Sequence, residues 1–432
     1  MTAPIQPGPP GRPRTNWAGN IAFTPARFER PASVDELAEL VAAAPQVRVL
    51  GTGHSFNEIA DTTGLQLSVA GLPEIISVDE AARTVSVSAG TTYGRLGAVL
   101  QARGFALANT GSLPHISVSG ACSTGTHGSG DTLRNLSAMA SAVELVTADG
   151  SMTTLRRTDG EEFDGAVLAL GALGVITRLE LDVVPTFDVR QDVYDGLDPR
   201  TLGTALDEVM SSAYSVSVFT PWRRGAPVQV WRKRRVDQTG VEPAEATWLG
   251  APLADGPRHP VPGMATENAT AQLGVGGPWN ERLPHFRLEF TPSAGDELQS
   301  EYVVPRALGT DAWLALEPLG DRISEVLLIG EIRSIAADPM WISPSHRRDS
   351  IAFHFTWRPD LAAVLPVLGA IEAALAPMDA RPHWGKVFTT APADFSRLYP
   401  RFDDFRALAA RLDPTRKFAN EFLVTNVLGP AQ

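Results

Sequence analysis

Hydrophobic positions in the first 185 residues recur with two different periods. Helical spacing occurs in 33–44 and 92–104, and strand alternation occurs in 46–51, 65–72 and 74–90. Ser33, followed by acidic residues, predicts the start of the first helix, and Gly104 predicts the end of the second. The last alternating segment contains its own turn and predicts a hairpin. This order of helices and strands predicts α+β packing rather than a long series of βαβ units.

Beyond residue 190 the pattern becomes that of a β-rich region. Strand alternation is present in 215–222, 227–236, 285–292, 325–338 and 350–359. The spacing in 201–213 and 361–378 predicts helices, so we expect a broad antiparallel sheet with helices on one face. The Pro- and Gly-rich stretch 235–283 predicts a long loop, and such loops tend to be functional or mobile.

The length of 432 residues predicts more than one hydrophobic core. We expect a flexible arm over residues 1–14, a first domain over 15–185, a second domain over 186–390 and a C-terminal segment over 391–432. The C-terminal segment predicts a helix and a short extended tail that return toward the first domain. The arm lacks the apolar centre of a signal peptide, and no apolar run reaches the ~20 residues of a membrane helix. The sequence therefore predicts a cytoplasmic protein without a membrane partner.

Composition narrows the classes of function. Hydrophobic residues make up 44% of the chain and charged residues 20%, as in soluble globular proteins. The net charge of −12 opposes binding to nucleic acid, because a polyanion would be repelled. The single cysteine, Cys122, excludes an intrachain disulfide and makes a cysteine-based metal site improbable. Only Lys233, Lys386 and Lys417 are lysines, and such a chain can retain lysine where arginine cannot replace it.

Two loops rich in small residues stand out in the first half. They read GTGHS at 51–55 and SVSGACSTGTHGSG at 117–130. Backbone N–H groups in such loops can line up on the oxygens of a pyrophosphate. Neither loop matches a P-loop or the G-x-G-x-x-G pattern, so each alone is weak support for phosphate binding. The glycines between His127 and Asp131 oppose a helix there, and we expect no metal site.

The two loops, with other segments in order, resemble the vanillyl-alcohol oxidase type of FAD-binding protein. The resemblance is specific for the alditol (xylitol) oxidases and rests on GTGHSFN, SLPHISVSGACSTGTHGSG, LGALGVIT, GEIRSIAAD, FHFTW, RPHWGKVF and DPTRKFANEF. It runs over nearly the whole chain, from about residue 15 to residue 426. It implies an α+β, two-domain FAD-binding (PCMH-type) fold, whose substrate domain has a large antiparallel sheet covered by helices.

The resemblance also implies the cofactor and its site. FAD would be attached covalently through His54, whose imidazole is a good nucleophile toward the flavin 8α-methyl group. For His115 and His127, structural hydrogen bonding or contact with the cofactor is the expectation. The residues implied in cofactor binding are Val49, Gly51, Thr52, Gly53, His54, Ser55, Ser112, Ser117, Gly120, Ser123, Thr124, Gly125, Thr126, His127, Gly128, Gly174, Ile176 and Lys386.

For the reaction, the resemblance implies oxidation of the C1 hydroxyl of a polyol, with hydride transfer to flavin N5 and reduction of O2 to hydrogen peroxide. Glu331 and Arg333 stand two apart on a predicted strand and so share one face, as do His354 and Thr356. Arg333 and Lys386 would polarise the reacting hydroxyl. Because arginine stays protonated, Lys386 or a water held by the cluster is the better candidate for the base.

The neighbouring hydroxyls of the substrate would meet further polar groups. Glu331 would accept hydrogen bonds from them, and Ser112 and Thr356 would contact hydroxyls farther along the polyol, beside His354. Gly111 is expected to leave space at the flank of the flavin and to help its reaction with O2. A monomer is the expected state.

Other interpretations of these residues stay open. Glu331 and Arg333 can form a purely structural ion pair, and the polar sheet face can be a solvated one. An aldonolactone oxidase or dehydrogenase shares the fold and a Glu/Arg pair. A flavin- or sugar-binding protein without turnover is the alternative of another class.

Overall fold

The computed structural model describes residues 14–236, 243–290 and 296–430. The flexible arm predicted over 1–14 lies outside this range except for its last residue. The helices and strands of the first 187 residues are β1 (Arg27–Glu29), α1 (Val34–Ala43), β2 (Val47–Val49), β3 (Leu65–Leu67), β4 (Ile76–Asp79), β5 (Thr84–Ser88), α2 (Tyr93–Ala102), β6 (Phe105–Ala106), α3 (Val118–Thr124), β7 (Ala140–Val146), β8 (Met152–Arg156), α4 (Glu162–Ala166), β9 (Val175–Asp182) and β10 (Val184–Pro185).

These elements form two main sheets. The strands β1, β3 and β2 pair in parallel, and β4, β5, β9, β7 and β8 form an antiparallel sheet in that order. Ser33 caps α1 as predicted, because its side chain accepts a hydrogen bond from the backbone N–H of Glu36. The predicted hairpin is β4 with β5, and the second helix ends before Gly104, which has a positive φ of 79°.

The remaining elements begin at residue 188. They are β11 (Asp188–Leu197), α5 (Pro199–Ser211), β12 (Ser215–Thr220), β13 (Val228–Arg235), β14 (Thr247–Trp248), β15 (Ala251–Pro252), β16 (Gly277–Pro278), α6 (Trp279–Arg282), β17 (Leu298–Pro305), α7 (Gly309–Leu316), α8 (Gly320–Val326), β18 (Leu327–Ile335), β19 (Ser350–Trp357), α9 (Leu361–Leu375), β20 (Arg381–Pro382), α10 (Pro392–Leu398), α11 (Phe402–Leu412) and α12 (Glu421–Leu423).

An eight-stranded sheet dominates this second half. Its order is β16-β11-β13-β12-β18-β19-β17-β20, and its pairs are antiparallel. The helices α5, α7 and α9 pack on one face through a core that includes Leu206, Trp313 and Leu368. The α+β fold with a helix-covered antiparallel sheet is therefore confirmed.

The structure corrects four of the predictions from the pattern. Residues 118–124, expected within a loop, form the short helix α3, whose buried Val118 and Cys122 pack into the first core. The described part of the strand predicted at 285–292 is irregular, since Phe286 makes only an isolated bridge with Ala269. Within 235–283 there are short strands and a helix rather than one loop. The predicted extended tail is instead helical at Glu421–Leu423.

Strands β11 and β17 were not predicted, although they are long strands of 10 and 8 residues that pair on both sides within the sheet. Their sequences, DVRQDVYDGL and LQSEYVVP, place charged or polar residues at buried positions, so they lack simple alternation. Asp192 is 1% exposed on β11 and Glu301 is 2% exposed on β17. Buried charges with partners break the pattern that identifies a strand.

Among the described residues, one helix is long and apolar enough, by length and composition alone, to cross a membrane. It spans Leu361–Met378 and contains α9. Val364, Leu368 and Ile371 on this helix are fully buried in the second core, and Pro366 lies within it. The same test is passed by core helices of soluble proteins, and these contacts are those of a helix that covers a sheet.

The C-terminal segment contacts the first half of the chain. The backbone N–H of Val47 donates to the carbonyl of Lys417 at 2.8 Å, and Phe418 belongs to the core beneath α1, β2 and β3. The C-terminal segment is thus attached to β2, the strand that leads into the first of the two glycine-rich segments.

Candidate active site

A cleft of about 310 Å³ lies between the glycine-rich loops and the polar face of the large sheet. The predicted site residues that line it are Val49, Gly51, Thr52, Gly53, His54, Ser55, Ser112, Ser117, Gly120, Ser123, Thr124, Thr126, His127, Gly174, Ile176, Glu331, Arg333, His354, Thr356 and Lys386. Residues from the two halves of the chain therefore meet in one place. Their convergence excludes the interpretation that the polar sheet face is simply solvated.

Two predicted cofactor residues do not line the cleft. Gly125 ends α3 with a positive φ of 76°, and an added Cβ would lie 3.0 Å from Leu168. At Gly128 an added Cβ would lie 2.1 Å from Asn109 Oδ1 and 2.4 Å from the carbonyl oxygen of Thr110. Both glycines are needed for backbone geometry and close packing, and their contact with the cofactor stays a prediction.

Gly111 also differs from its expectation. It is buried, and an added Cβ would contact Thr126 Cγ2 at 3.4 Å and Ile116 Cδ1 at 3.6 Å rather than enter open space. Thr126 and Ile116 do line the cleft. A larger side chain at position 111 would therefore act on the cleft by displacing these two neighbours.

The first loop has the properties of an anion-binding cradle. Among the described residues, no acceptor takes a hydrogen bond from the consecutive backbone N–H groups of 51–55. The hydroxyl of Ser117 is also buried, and it has no hydrogen-bond partner among the described residues. A Cβ at Gly51 or Gly120 would approach this hydroxyl to 2.9 and 2.8 Å. Unpaired donors around a glycine-lined surface fit the diphosphate of FAD.

His54 is held at the edge of this loop. Its Nδ1 lies 3.0 Å from Thr52 Oγ1, and the Trp17 ring stacks on the imidazole with 5.1 Å between centroids. Burial lowers the pKa of His54 to about 4, so the ring is neutral near pH 7. A neutral, oriented imidazole inside the cleft has a lone pair available as a nucleophile.

His115 and His127 have structural partners. His115 Nε2 lies 2.9 Å from the carbonyl oxygen of Leu288. His127 Nδ1 lies 2.7 Å from the carbonyl oxygen of Gly128, and its Nε2 lies 2.5 Å from Glu301 Oε1. Both ring nitrogens of His127 therefore face hydrogen-bond acceptors, which hold the ring between Gly128 and Glu301.

The polar face of the large sheet, which lines the cleft, aligns acidic and basic groups across neighbouring strands. Glu331 on β18 pairs in register with His354 on β19, and His354 pairs with Glu301 on β17. Arg333 Nε donates to Glu331 Oε1 at 2.5 Å, and a second contact joins Arg333 Nη2 to Glu331 Oε2. Arg333 Nη2 also donates to Ser112 Oγ at 2.5 Å, which ties the sheet to the other side of the cleft.

Lys386 is the centre of the second charged group. Its Nζ lies 2.6 Å from Glu301 Oε2 and 2.7 Å from His354 Nδ1, while His354 Nε2 lies 3.1 Å from Thr356 Oγ1. Burial lowers the pKa of Lys386, and Glu301 opposes this shift while Arg333 adds to it. Burial also lowers the pKa of His354 to about 4, so the ring is neutral near pH 7. Its Nδ1 lies 3.0 Å from Glu301 Oε2 as well as close to the ammonium of Lys386.

Both carboxylates of this face remain ionised. Burial alone would raise the pKa of Glu301, but the charges of Lys386 and His127 bring it well below its usual value. Burial acts in the same way on Glu331, and Arg333 and His285 likewise bring its pKa well below the usual value. The site thus presents fixed cations and carboxylates side by side, which suits recognition of several hydroxyl groups.

The chain was compared with known sequences and structures. Residues 25–156 match the sequence family described as an FAD binding domain, and residues 296–426 match the D-arabinono-1,4-lactone oxidase family. An alditol oxidase from Streptomyces sp. is 52% identical over 413 residues, which are 95% of this chain and 97% of the relative. The chain belongs to the alditol oxidase family.

More distant members of the same superfamily act on lactones, according to their names. An L-gulono-1,4-lactone dehydrogenase from Mycobacterium tuberculosis is 30% identical, with 96% of this chain and 99% of that protein covered. An L-gulonolactone oxidase from Bos taurus is 28% identical, with coverage of 94% and 96%. Like the alditol oxidase, they match almost from end to end.

Solved structures support the fold. The cholesterol oxidase of B. sterolicum superposes with a TM-score of 0.76 at 16% identity and covers 99% of this chain and 100% of its own. A solvent-stable cholesterol oxidase gives a TM-score of 0.78 at 15% identity, with coverage of 95% and 96%. At such low identity the likeness concerns the fold alone. With the family membership, it makes this chain an FAD-binding oxidoreductase of the two-domain PCMH type.

Several residues that line the cleft were not predicted from the sequence. Glu301 lies on an unpredicted strand, Trp17 lies in an irregular segment, and His285 lies in a segment assigned to the wrong structure. A carboxylate followed directly by Tyr302, Val303 and Val304 is the signal that could have identified Glu301, since an apolar run next to an acidic residue indicates a buried position. For Trp17 and His285 only the three-dimensional contacts reveal the role.

The described residues contain no group of three or more His, Cys, Asp or Glu side chains that could hold a metal ion. Cys122 is buried, and Tyr93 Oη lies 3.6 Å from its sulfur. Burial raises the pKa of this thiol to about 12, so it stays protonated and unreactive.

Proposed function

We propose that this protein is an alditol oxidase that converts a polyol and O2 into an aldose and hydrogen peroxide. The carrying observation is the paired arrangement of Arg333 with Glu331 and of Lys386 with Glu301 on one face of the cleft. An alditol offers a hydroxyl on every carbon, and each pair combines a donor with an acceptor for such groups. The 52% identity to an alditol oxidase supports the same substrate class.

FAD, when bound, supplies the two-electron acceptor for the hydrogen that leaves C1 of the alcohol. The N–H groups of 51–55 and the hydroxyl of Ser117 would hold its diphosphate. We propose a covalent bond through His54, which the neutral ring and the stacking of Trp17 support.

The chain's own residues orient and polarise the alcohol. Arg333 and Lys386 place two positive charges next to the reacting oxygen, so they stabilise the negative charge that this oxygen gains as its hydroxyl proton leaves. Glu331 accepts from the hydroxyl on the next carbon, and Ser112 and Thr356 contact hydroxyls farther along. Because Lys386 is held by Glu301 and His354, its charge is fixed before the substrate arrives.

We further propose a monomeric cytoplasmic enzyme with domain boundaries near residues 15, 186 and 391. The second candidate function is oxidation of an aldonolactone, favoured by the match of 296–426 to a lactone oxidase family. It shares the cofactor and the fold, so only the substrate distinguishes the two.

The deciding experiment compares substrates on the purified holoenzyme. Turnover of xylitol and sorbitol is measured against L-gulono-1,4-lactone, with O2 and an artificial acceptor in separate runs. We expect the alditols to be oxidised with O2 consumption and hydrogen peroxide release. Faster turnover of the lactone would favour the second candidate, and a flavin that stays oxidised when xylitol is added without O2 would reduce the protein to a binding module.

A further inference from the structure

Lys233 has a side-chain amine that is buried next to the proposed substrate site. It lies on β13, is 1% exposed, and its Nζ donates to the carbonyl oxygens of Leu283 at 2.5 Å and Pro284 at 3.1 Å. The third neighbour of the nitrogen is His285 Nδ1 at 3.0 Å. Burial lowers the pKa of Lys233 well below its usual value, and the charge of Glu331 opposes this shift. In its ammonium form the nitrogen has three protons, and these three acceptors use all of them.

The contact with Lys233 determines which nitrogen of His285 carries a proton. Burial is the main cause that lowers the pKa of His285 to about 3, and the charge of Lys233 acts in the same direction. The ring is therefore neutral near pH 7. If Nδ1 accepts from the ammonium, the single ring proton is on Nε2. That nitrogen lies 2.8 Å from Glu331 Oε1 and 3.2 Å from Ser217 Oγ, so the proton points toward the carboxylate.

The ring cannot easily turn away from this arrangement. Phe219 and Trp231 contact His285 edge to face, with centroids at 5.5 and 5.4 Å. The backbone N–H of His285 also donates to the carbonyl of Ser112 at 3.1 Å. The segment is therefore attached to the cleft wall at one end and to Lys233 at the other.

The opposite tautomer would disturb Glu331. It would direct a lone pair of His285 at the carboxylate, and Glu331 would lose one of the donors that keep it ionised and aligned with Arg333. The Arg333 guanidinium would then be less firmly placed against Ser112.

We propose that Lys233 and His285 are positioning residues that fix the proton of His285 on the side of Glu331 and so hold the Glu331–Arg333 pair in place for the substrate hydroxyls. This inference rests on the proposed function, because its kinetic readout is binding of an alditol. The residues touch Glu331 and its support, not the reacting atoms.

The chain contains a matched control for the substitution. Lys417 is also a buried ammonium on two backbone carbonyls, those of Val41 at 2.6 Å and Ala42 at 3.0 Å. It supports the end of α1 and, among the described residues, forms no hydrogen bond with a histidine. Lys233→Met and Lys417→Met therefore remove the same kind of charge, and only the first affects His285.

The experiment measures steady-state kinetics with xylitol on the FAD-loaded variants. For Lys233→Met we expect KM to rise about tenfold, the effect of one lost hydrogen bond of ~1.4 kcal/mol, with kcat changed less than about threefold. Lys417→Met should leave KM within about twofold while lowering the unfolding temperature. An equal rise of KM in both variants, or none in Lys233→Met, would overturn the proposal.

A second pair of variants keeps the test decisive if Lys233→Met does not fold. His285→Leu removes the donor to Glu331, whereas the side-chain amide of His285→Gln can still donate. We expect a rise of KM in the leucine variant and recovery of most of that loss in the glutamine variant. Equal KM values for the two would contradict a role through the hydrogen bond to Glu331.

The tautomer itself is observable without any substrate. Imidazole ¹⁵N spectra of histidine-labelled holoenzyme should show His285 protonated on Nε2 in the wild type and in Lys417→Met, and a changed form in Lys233→Met. An unchanged spectrum in Lys233→Met would overturn the proposal. Absence of alditol turnover in the wild type would overturn the proposed function, and the spectra would still decide on the Lys233–His285 pairing.

Discussion

At the scale of single residues, His54 combines a neutral imidazole, a fixed orientation and a position inside the cleft. Burial keeps its pKa near 4, and Trp17 and Thr52 restrict the ring. These properties suit a nucleophile that has to meet a ring edge at one place. They also make the proposed covalent bond testable by a single substitution.

His54→Ala should abolish covalent attachment of FAD, because alanine has no nucleophile. After acid precipitation of the variant, the flavin should be in the supernatant, whereas in the wild type it should remain in the pellet. His115→Ala is the control, since His115 contacts the carbonyl of Leu288 and should leave the bond intact. Flavin that stays in the His54→Ala pellet would rule out this attachment site.

Gly111→Val should slow the reaction of the reduced enzyme with O2. The added methyl groups would displace Thr126 and Ile116, which are 3.4 and 3.6 Å from an ideal Cβ, into the cleft. We expect reoxidation by O2 to slow about tenfold, or ~1.4 kcal/mol in the barrier, in rapid-mixing experiments. Gly111→Ala should have a smaller effect, and an unchanged rate in the valine variant with normal FAD loading would end the idea.

At the scale of elements, strand β17 supplies charge to the site from one face and stability from the other. Glu301 contacts Lys386 and His127 in the cleft, while the next residue, Tyr302, donates to Glu372 at 2.7 Å in the opposite direction. The alternation of a strand separates the two roles, although the residues are adjacent in sequence.

Glu301→Gln should lower kcat/KM by at least about tenfold, since Lys386 and His127 would lose the carboxylate between them and roughly 1.4 kcal/mol or more of alignment. The measurement is turnover of xylitol at fixed FAD content. Glu372→Gln on α9 is the control, and it should lower the unfolding temperature with little change in kcat/KM. If the two variants lost kcat/KM equally, the loss would reflect folding rather than the site.

The candidate site shows which of its residues can be placed from the sequence alone and which cannot. Glu331 and Arg333 could be placed on one face because their spacing within a strand fixes it, and the cleft contains both. Gly125 and Gly128 lie outside the cleft lining and are closely packed, and their contact with the cofactor stays a prediction, because a one-letter pattern does not show whether a glycine faces a ligand or a neighbouring backbone. Glu301 and His285 depend on strand register and on a loop position, which only the folded chain provides.

At the scale of the whole molecule, several histidines are kept neutral inside the fold. Burial is the first cause that lowers the pKa of His285 and His383 to about 3 and that of His346 and His354 to about 4. An unfolded chain has histidine pKa values near ~6.5. Folding therefore releases protons from these rings when the pH is below that value.

The unfolding temperature should accordingly fall as the pH is lowered from about 6.5 to about 4. Between these values the unfolded state binds more protons than the folded state, so each such ring removes up to about 1.4 kcal/mol of stability per pH unit. Thermal unfolding of the holoenzyme in buffers from pH 7.5 to 4.5 measures the slope. A stability that is constant over this range would contradict the neutral state of these rings.

His346→Gln provides the matched variant, since His346 lies 2.9 Å from the Met340 carbonyl and outside the cleft lining. Its amide can still donate to that carbonyl, while one titrating group is removed. The slope of stability against pH should decrease by about one proton. An unchanged slope would show that His346 does not contribute.

The burial of the lysines gives the protein an unusual chemical surface. Lys233 and Lys417 are 1% and 7% exposed, and Lys386 lies within the cleft. Reagents that acylate primary amines should find the side chains of this folded protein almost inert, because its outward positive charge is carried by arginine. Unfolding exposes all three amines, so the extent of acylation over time measures the rate at which the protein unfolds.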